Sequence, residues 1–174
     1  VDGEQPSIRK KIANRLRLQS FDDDLQPKEQ YWYVTDSSAV ESTKCKSTLG
    51  VSGLAALDDG QVIVLEREVR KTAKGIGSFV HVKLFVVNPQ LQQPGDTLKK
   101  RLLTEFRTHI NLLKRSFANY EGICAGPRLA DVRQVLLLVA DSQNRYKGYL
   151  KDWFKTIVIS DISFNPNDYA TNPL

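Results

Sequence analysis

Five side chains in two stretches could do chemistry together. Glu66 and Arg67 follow an apolar run of Val62, Ile63, Val64 and Leu65, and Asp141 follows a second run from Val135 to Ala140. Glu121 opens another strand-like segment, with Asn119 two positions before it. Side chains alternate along an extended chain, so Asn119 and Glu121 are expected to point the same way. Oxygen atoms so placed, with Asp141 across the same hairpin, suit a hard cation such as Ca2+. Carboxylates at strand ends can also move a proton, which makes Glu121, Asp141 and Glu66 the candidate catalytic residues. Arg67 carries a planar fork that can grip an oxyanion bidentately. Each has a structural alternative. Arg67 can tie sheets together by pairing with Glu66, Glu68 or Asp141, and Glu121 can be a carboxylate bonded to nearby backbone amides.

The elements that must position these groups read as hairpins. Asp58-Asp59-Gly60 is a turn signal between Leu54, Ala55, Ala56, Leu57 and the β-branched run at 62–65. Residues 120–142 repeat the pattern loosely: a Gly–apolar–Ala segment, a polar turn, then an apolar strand ending in a carboxylate. Gly53 and Gly122 are the equivalent glycines. Two copies of strand–turn–strand predict an all-β protein, a β-propeller or part of one, with about three blades of a larger closed ring. In that architecture loops beside the inner strands surround the mouth of a central channel.

The remaining segments fit around these hairpins. Strands are expected at 12–21, 31–35, 79–87 and 154–159, from aromatic, β-branched or alternating residues. Residues 42–49 read as a polar loop, and Glu66-Arg67-Glu68 as the end of its strand. Leu102, Leu103, Phe106, Ile110 and Leu113 have helical spacing, but the propeller context favours a strand near 101–106 followed by a loop. Residues 1–11 and 161–174 read as surface tails of one domain spanning 1–174.

Other chemistry is excluded by context. Asp22-Asp23-Asp24 lacks the glycine and distal glutamate of an EF-hand loop and reads as a solvated turn. Gly75 and Gly77 lack the strand-to-helix setting of a phosphate loop. Gly50-Val51-Ser52-Gly53 is one residue short of a nucleophile elbow, and neither His81 nor His109 neighbours a nucleophile in sequence. The net charge of +5 favours anions only weakly, and the short basic runs at 9–11 and 99–101 do not make the stripe that nucleic acid requires. No apolar run is long enough for a membrane-spanning helix. Two cysteines, Cys45 and Cys124, are too few for a disulfide framework; they form one bridge or stay as thiols, and the apolar neighbours of Cys124 predict a buried thiol. The chain begins at Val1 and contains no Met, which fits a processed product or a fragment.

The same residues carry a family resemblance. Ser52-Gly53-Leu54-Ala55-Ala56-Leu57-Asp58-Asp59-Gly60, Asn119-Tyr120-Glu121-Gly122-Ile123, Gly126-Pro127 and the run from Leu137 to Ser142 resemble the phytase-like family called "esterase-like activity of phytase". The resemblance covers residues 10–160 and the C-terminal half of that family's domain. Where members often have Glu-Gly-Leu at the first hairpin, this chain has Ser52-Gly53-Leu54. The resemblance implies metal-assisted hydrolysis of phosphate or other esters, with Ca2+ as cofactor, a small-molecule ester as substrate and a periplasmic or extracellular location. The alternatives are a non-catalytic propeller that binds a ligand or protein at the channel mouth, and a lactonase-type propeller. A partial ring also implies a missing N-terminal half, a second chain or self-association, because open sheets leave unpaired edges.

Overall fold

The computed structural model describes residues 14–36, 46–72, 77–110, 117–142 and 151–164. It contains nine strands and one short 3-10 turn, Pro89–Leu91. The strands are β1 (Arg15–Phe21), β2 (Pro27–Val34), β3 (Lys46–Ala56), β4 (Val62–Lys71), β5 (Phe79–Val87), β6 (Arg101–His109), β7 (Tyr120–Arg128), β8 (Gln134–Ala140) and β9 (Phe154–Ile159). They form three sheets, ordered β1-β2, β3-β4-β5-β6 and β7-β8-β9, and every pairing within them is antiparallel. The chain is therefore all-β and its sheets stack as blades of a partial propeller; among the described residues they do not close a ring.

Two apolar layers hold the stack together. Ile63, Leu65, Val80, Val82, Leu84 and Val86 of the central sheet pack on Tyr120, Leu136, Leu138 and Ala140 of the last sheet. The opposite face of the central sheet, with Val64, Phe85 and Val87, packs on Tyr31 and Tyr33 of the first sheet and on Leu98. This is why β4 and β5 read as continuous apolar runs: both of their faces are covered. Completely burying one such aliphatic side chain contributes about 1.5–3 kcal/mol, so these layers dominate the stability of the stack.

The two hairpins read from the repeat are β3–β4 and β7–β8, the opening hairpins of their sheets. Each first strand carries a β-bulge just before its glycine, at Ser52 in β3 and at Glu121 in β7. The bulges let β3 and β7 approach each other. A Cβ added at Gly53 would lie 3.0 Å from Ile123 Cγ2, so a side chain there would force that contact apart. Gly60 closes the β3–β4 turn with φ of 80°, the left-handed region that the Asp-Asp-Gly turn anticipates.

Several expectations are corrected. Residues 46–49, expected as loop, open β3, because its polar residues pair with the far half of β4. β4 does not end at Glu66 but runs on to Lys71, which leaves Glu66, Arg67 and Glu68 in mid-strand. Cys124 is exposed: the bulge at Glu121 shifts the alternation of β7, turning Ile123 inward and Cys124 outward. Ile162 and Phe164 are buried in the core rather than lying in a surface tail. The strand favoured near 101–106 is present as β6 and differs only in running on to His109, because the free edge of β5 offers it a longer ladder. Residues 1–11, Cys45 and residues 165–174 lie outside the described residues.

Candidate functional site

Alternation along β4 separates the candidate residues. Arg67 points with Ile63, Leu65 and Val69 toward the last sheet, and Glu66 points with Val64 toward the first. Glu66, Arg67, Glu121 and Asp141 therefore do not converge on one centre. They belong to two polar clusters on opposite faces of the central sheet.

The first cluster joins Arg67 to Asn119 and Glu121. Asn119 lies just before β7 and is buried, while Arg67 and Glu121 are 21% and 32% exposed in their side chains, so water reaches the pair. The bulge takes Glu121 out of the ladder and lets its side chain turn back toward the central sheet. There Glu121 Oε1 accepts a charge-assisted hydrogen bond from Arg67 Nη1 and a second from Asn119 Nδ2 at 2.6 Å. Asn119 Oδ1 in turn accepts from Arg67 Nη1 at 2.7 Å. Both hydrogen bonds to Glu121 fall on Oε1, which leaves Oε2 uncommitted among the described residues. Arg67 Nε is buried and has no partner among them. Tyr120 points away from the cluster, packs edge-on against Phe106 with centroids 5.6 Å apart, and fixes the start of β7. Asp141 follows β8, and its backbone N–H donates to Asn119 O at 3.1 Å, which places it beside the cluster.

The second cluster surrounds Glu66, which is 1% exposed. Its Oε1 accepts from Tyr33 Oη and from Lys100 Nζ, both at 2.6 Å, and its Oε2 accepts from the Asp36 backbone N–H at 3.1 Å. Asp36 holds Lys83 at 2.6 Å and Lys100 at 2.8 Å. Burial pushes the Asp36 carboxyl up, but the hydrogen bonds and charges of Lys100 and Lys83 outweigh that and hold it below the usual carboxylate range. The Tyr33 hydroxyl is pushed far up, first by burial and then by the charge of Glu66. Lys100 also lies 4.0 Å from the centre of the Phe85 ring, within cation–π range. Beside this network, Asp36, Leu49, Glu66, Glu68, His81 and Lys83 line a cleft with room for about one water, far too small to enclose a small-molecule ligand. His81 Nε2 lies 3.0 Å from Glu105 Oε2. Burial lowers the His81 pKa, and the positive charge of Arg107 adds to that despite the opposing pull of Glu105.

Sequence spacing gave no sign of Tyr33, Asp36, Lys83 or Lys100 in this second cluster. They come from three separate segments: stacking of the first sheet on the central one brings Tyr33 and Asp36 to Glu66, Lys83 stands opposite it on β5, and Lys100 reaches it from just before β6. Ser52 sits at the bulge equivalent to that of Glu121, and its hydroxyl donates to Tyr120 O at 3.4 Å.

A resident cation does not fit the Glu121 cluster as arranged. The Glu121 carboxylate that would ligate it already holds a guanidinium through Oε1, which supplies the positive charge. Among the described residues no group of three or more His, Cys, Asp or Glu side chains converges as metal ligands. No helix among them is long and apolar enough to cross a membrane.

Comparison with known proteins places the chain. The family profile Phytase-like, "Esterase-like activity of phytase", matches residues 2–143, and the chain belongs to that family. The match starts earlier and ends sooner than the expected 10–160, and the narrower expectation of a C-terminal half alone does not hold. Searches of curated proteins and of solved structures returned no match. Membership brings with it a hydrolase-like propeller as the class of protein.

Proposed function

We propose that this protein hydrolyses an anionic ester, a phosphate ester or a carboxylic ester, at the Arg67–Asn119–Glu121 cluster. The observation that carries this reading is the bulge at Glu121, which aims a half-exposed carboxylate at an arginine across two sheets within the family's Asn-Tyr-Glu-Gly motif. Bulges of this kind re-aim side chains beside active sites. Glu121 Oε2 takes the proton of a water as its oxygen attacks the ester carbon or phosphorus. Arg67 holds the charge that develops on the substrate oxygen, and Asn119 keeps the two side chains in register. The proton passes on to the departing alkoxide. Asp141, beside Asn119, shapes the approach to the cluster. Glu66 has no part in this scheme, because it lies on the other face of β4.

Ca2+ is the cation that oxygen ligands of this kind would take. Here it would have to displace the Arg67 guanidinium, so no step is routed through a metal and calcium dependence becomes an outcome of the assay. An exported location, periplasmic or extracellular, belongs to the same reading. The test is a panel of phosphomonoesters, carboxylic esters and lactones, assayed with the purified protein in calcium and in chelator. Turnover of an ester supports the reading; a folded protein that turns over no substrate of any class, with or without calcium, overturns it.

One observation favours a second reading, a non-catalytic propeller that binds a ligand or protein. Arg67 spends its charge on Glu121 of the last sheet and Glu66 spends its own on Lys100, just before β6, as structural ion pairs do. The same panel separates the two.

A further inference from the structure

The face of the central sheet that carries Glu66 and Glu68 continues toward the far ends of its strands as a basic patch. Register sets Arg70 opposite Phe79, Phe79 opposite His109, and Arg107 opposite His81. Phe79 is buried beneath them. The guanidinium carbon of Arg107 lies 5.2 Å from the centre of the Phe79 ring and that of Arg70 lies 5.8 Å from it, while the His109 ring stands tilted at 6.0 Å. Two guanidinium groups thus share one aromatic ring, each within cation–π range.

Neither group has a carboxylate partner among the described residues. The acids nearest along that face are engaged elsewhere: Glu68 accepts from the Ser47 hydroxyl at 2.7 Å, and Glu105 faces His81. Two cations on one ring, with no carboxylate partner among the described residues, favour an anion that binds between them. Guanidinium forks match the oxygens of a tetrahedral oxyanion and bind them bidentately. The ring underneath limits the positions of both forks, which lowers the entropy lost when an anion binds.

We propose that Arg70 and Arg107, with the His109 imidazole beside them, form a binding site for a tetrahedral oxyanion, a phosphate or sulfate group, free or carried on an organic molecule. The site lies on the face of the central sheet away from Arg67 and Glu121 and does not depend on hydrolysis there.

The test follows the arginine Nε–Hε signals of the full chain by NMR while inorganic phosphate, sulfate or methyl phosphate is added at constant ionic strength, which keeps general screening fixed. Saturable shifts at Arg70 and Arg107 are expected, with Kd about 1 mM for phosphate, the scale of a few charge-assisted hydrogen bonds. Arg70→Gln and Arg107→Gln should each weaken binding by roughly tenfold or more. Arg107→Lys, which keeps the charge and loses the fork, should weaken it as well, and Arg133→Gln, at an exposed arginine paired with Asp131, should bind as the parent does. Methyl phosphate binding more tightly than phosphate assigns an organic ligand, and the reverse order assigns the free anion; either upholds the site. Absence of saturable shifts at Arg70 and Arg107 in the unmodified protein, or shifts that Arg70→Gln and Arg107→Gln leave intact, overturns it.

Discussion

Glu66 and Arg67 are adjacent in sequence and serve different interfaces: Glu66 holds Tyr33 of the first sheet, and Arg67 holds Glu121 of the last. One peptide bond separates them, and the alternation of β4 sends them to opposite faces. The central sheet is thereby tied to both neighbours from a single point on one strand.

Glu66 is the structural member of this pair. Replacing it with Ala leaves the Tyr33 hydroxyl buried without its acceptor and Lys100 with Asp36 as its remaining carboxylate. Removing one partner of a buried ion pair typically costs about 3–5 kcal/mol. Urea unfolding of Glu66→Ala should show a loss of that order. A loss under about 1 kcal/mol, the scale of an exposed pair, would mean that Glu66 is not the anchor described.

This division marks how far the sequence could be read. The hairpins were legible because Asp58-Asp59-Gly60 and the apolar run at 62–65 state a turn and a strand locally. The extent of β4 was not, because the charges at 66–68 look like a strand end until the first and last sheets supply their partners. The contact of Asn119 with Glu121 follows from local spacing. The partners of Glu66 do not, because they arrive from distant segments, Tyr33 and Asp36 through sheet stacking and Lys100 from just before β6. The outward turn of Cys124 was hidden for a related reason: a bulge changes the inside–outside phase without a reliable mark in the sequence.

His81 sets an acid sensitivity. Its pKa is lowered in the fold, first by burial, so on acidification the unfolded chain takes up a proton at a pH where the folded chain does not. The stability from neutral His81 is present above the unfolded value near 6.5 and is lost as pH falls from there toward the lowered folded value. Asp36, held low mainly by Lys100 and Lys83 against the effect of burial, adds a second loss at lower pH, below about 4. Melting temperature should therefore fall as pH drops below about 6.5, and His81→Gln should flatten that part of the profile. An unchanged slope in His81→Gln would assign the sensitivity to other groups.

The outward face of the last sheet carries Val139, Phe154 and Val158 at 39%, 72% and 42% exposure. A propeller closes with about four to eight blades, so a three-sheet stack leaves such a face to be covered. The protein should associate through it, and Phe154→Lys with Val158→Lys should reduce concentration-dependent association in sedimentation velocity. A parent chain that sediments as a monomer at every concentration would contradict this.

The account turns on Glu121, and one substitution tests it most directly. Glu121→Gln keeps the shape and the hydrogen bond to Asn119 while removing the charge and the basic oxygen. On the best ester substrate, kcat should fall by about 10²-fold or more, the usual scale for an acid–base group. The melting temperature should stay close to that of the parent, because the pair with Arg67 is partly exposed and such pairs contribute little to stability. A variant that keeps its kcat and melts several degrees lower would make the carboxylate a tie between sheets and contradict the assignment.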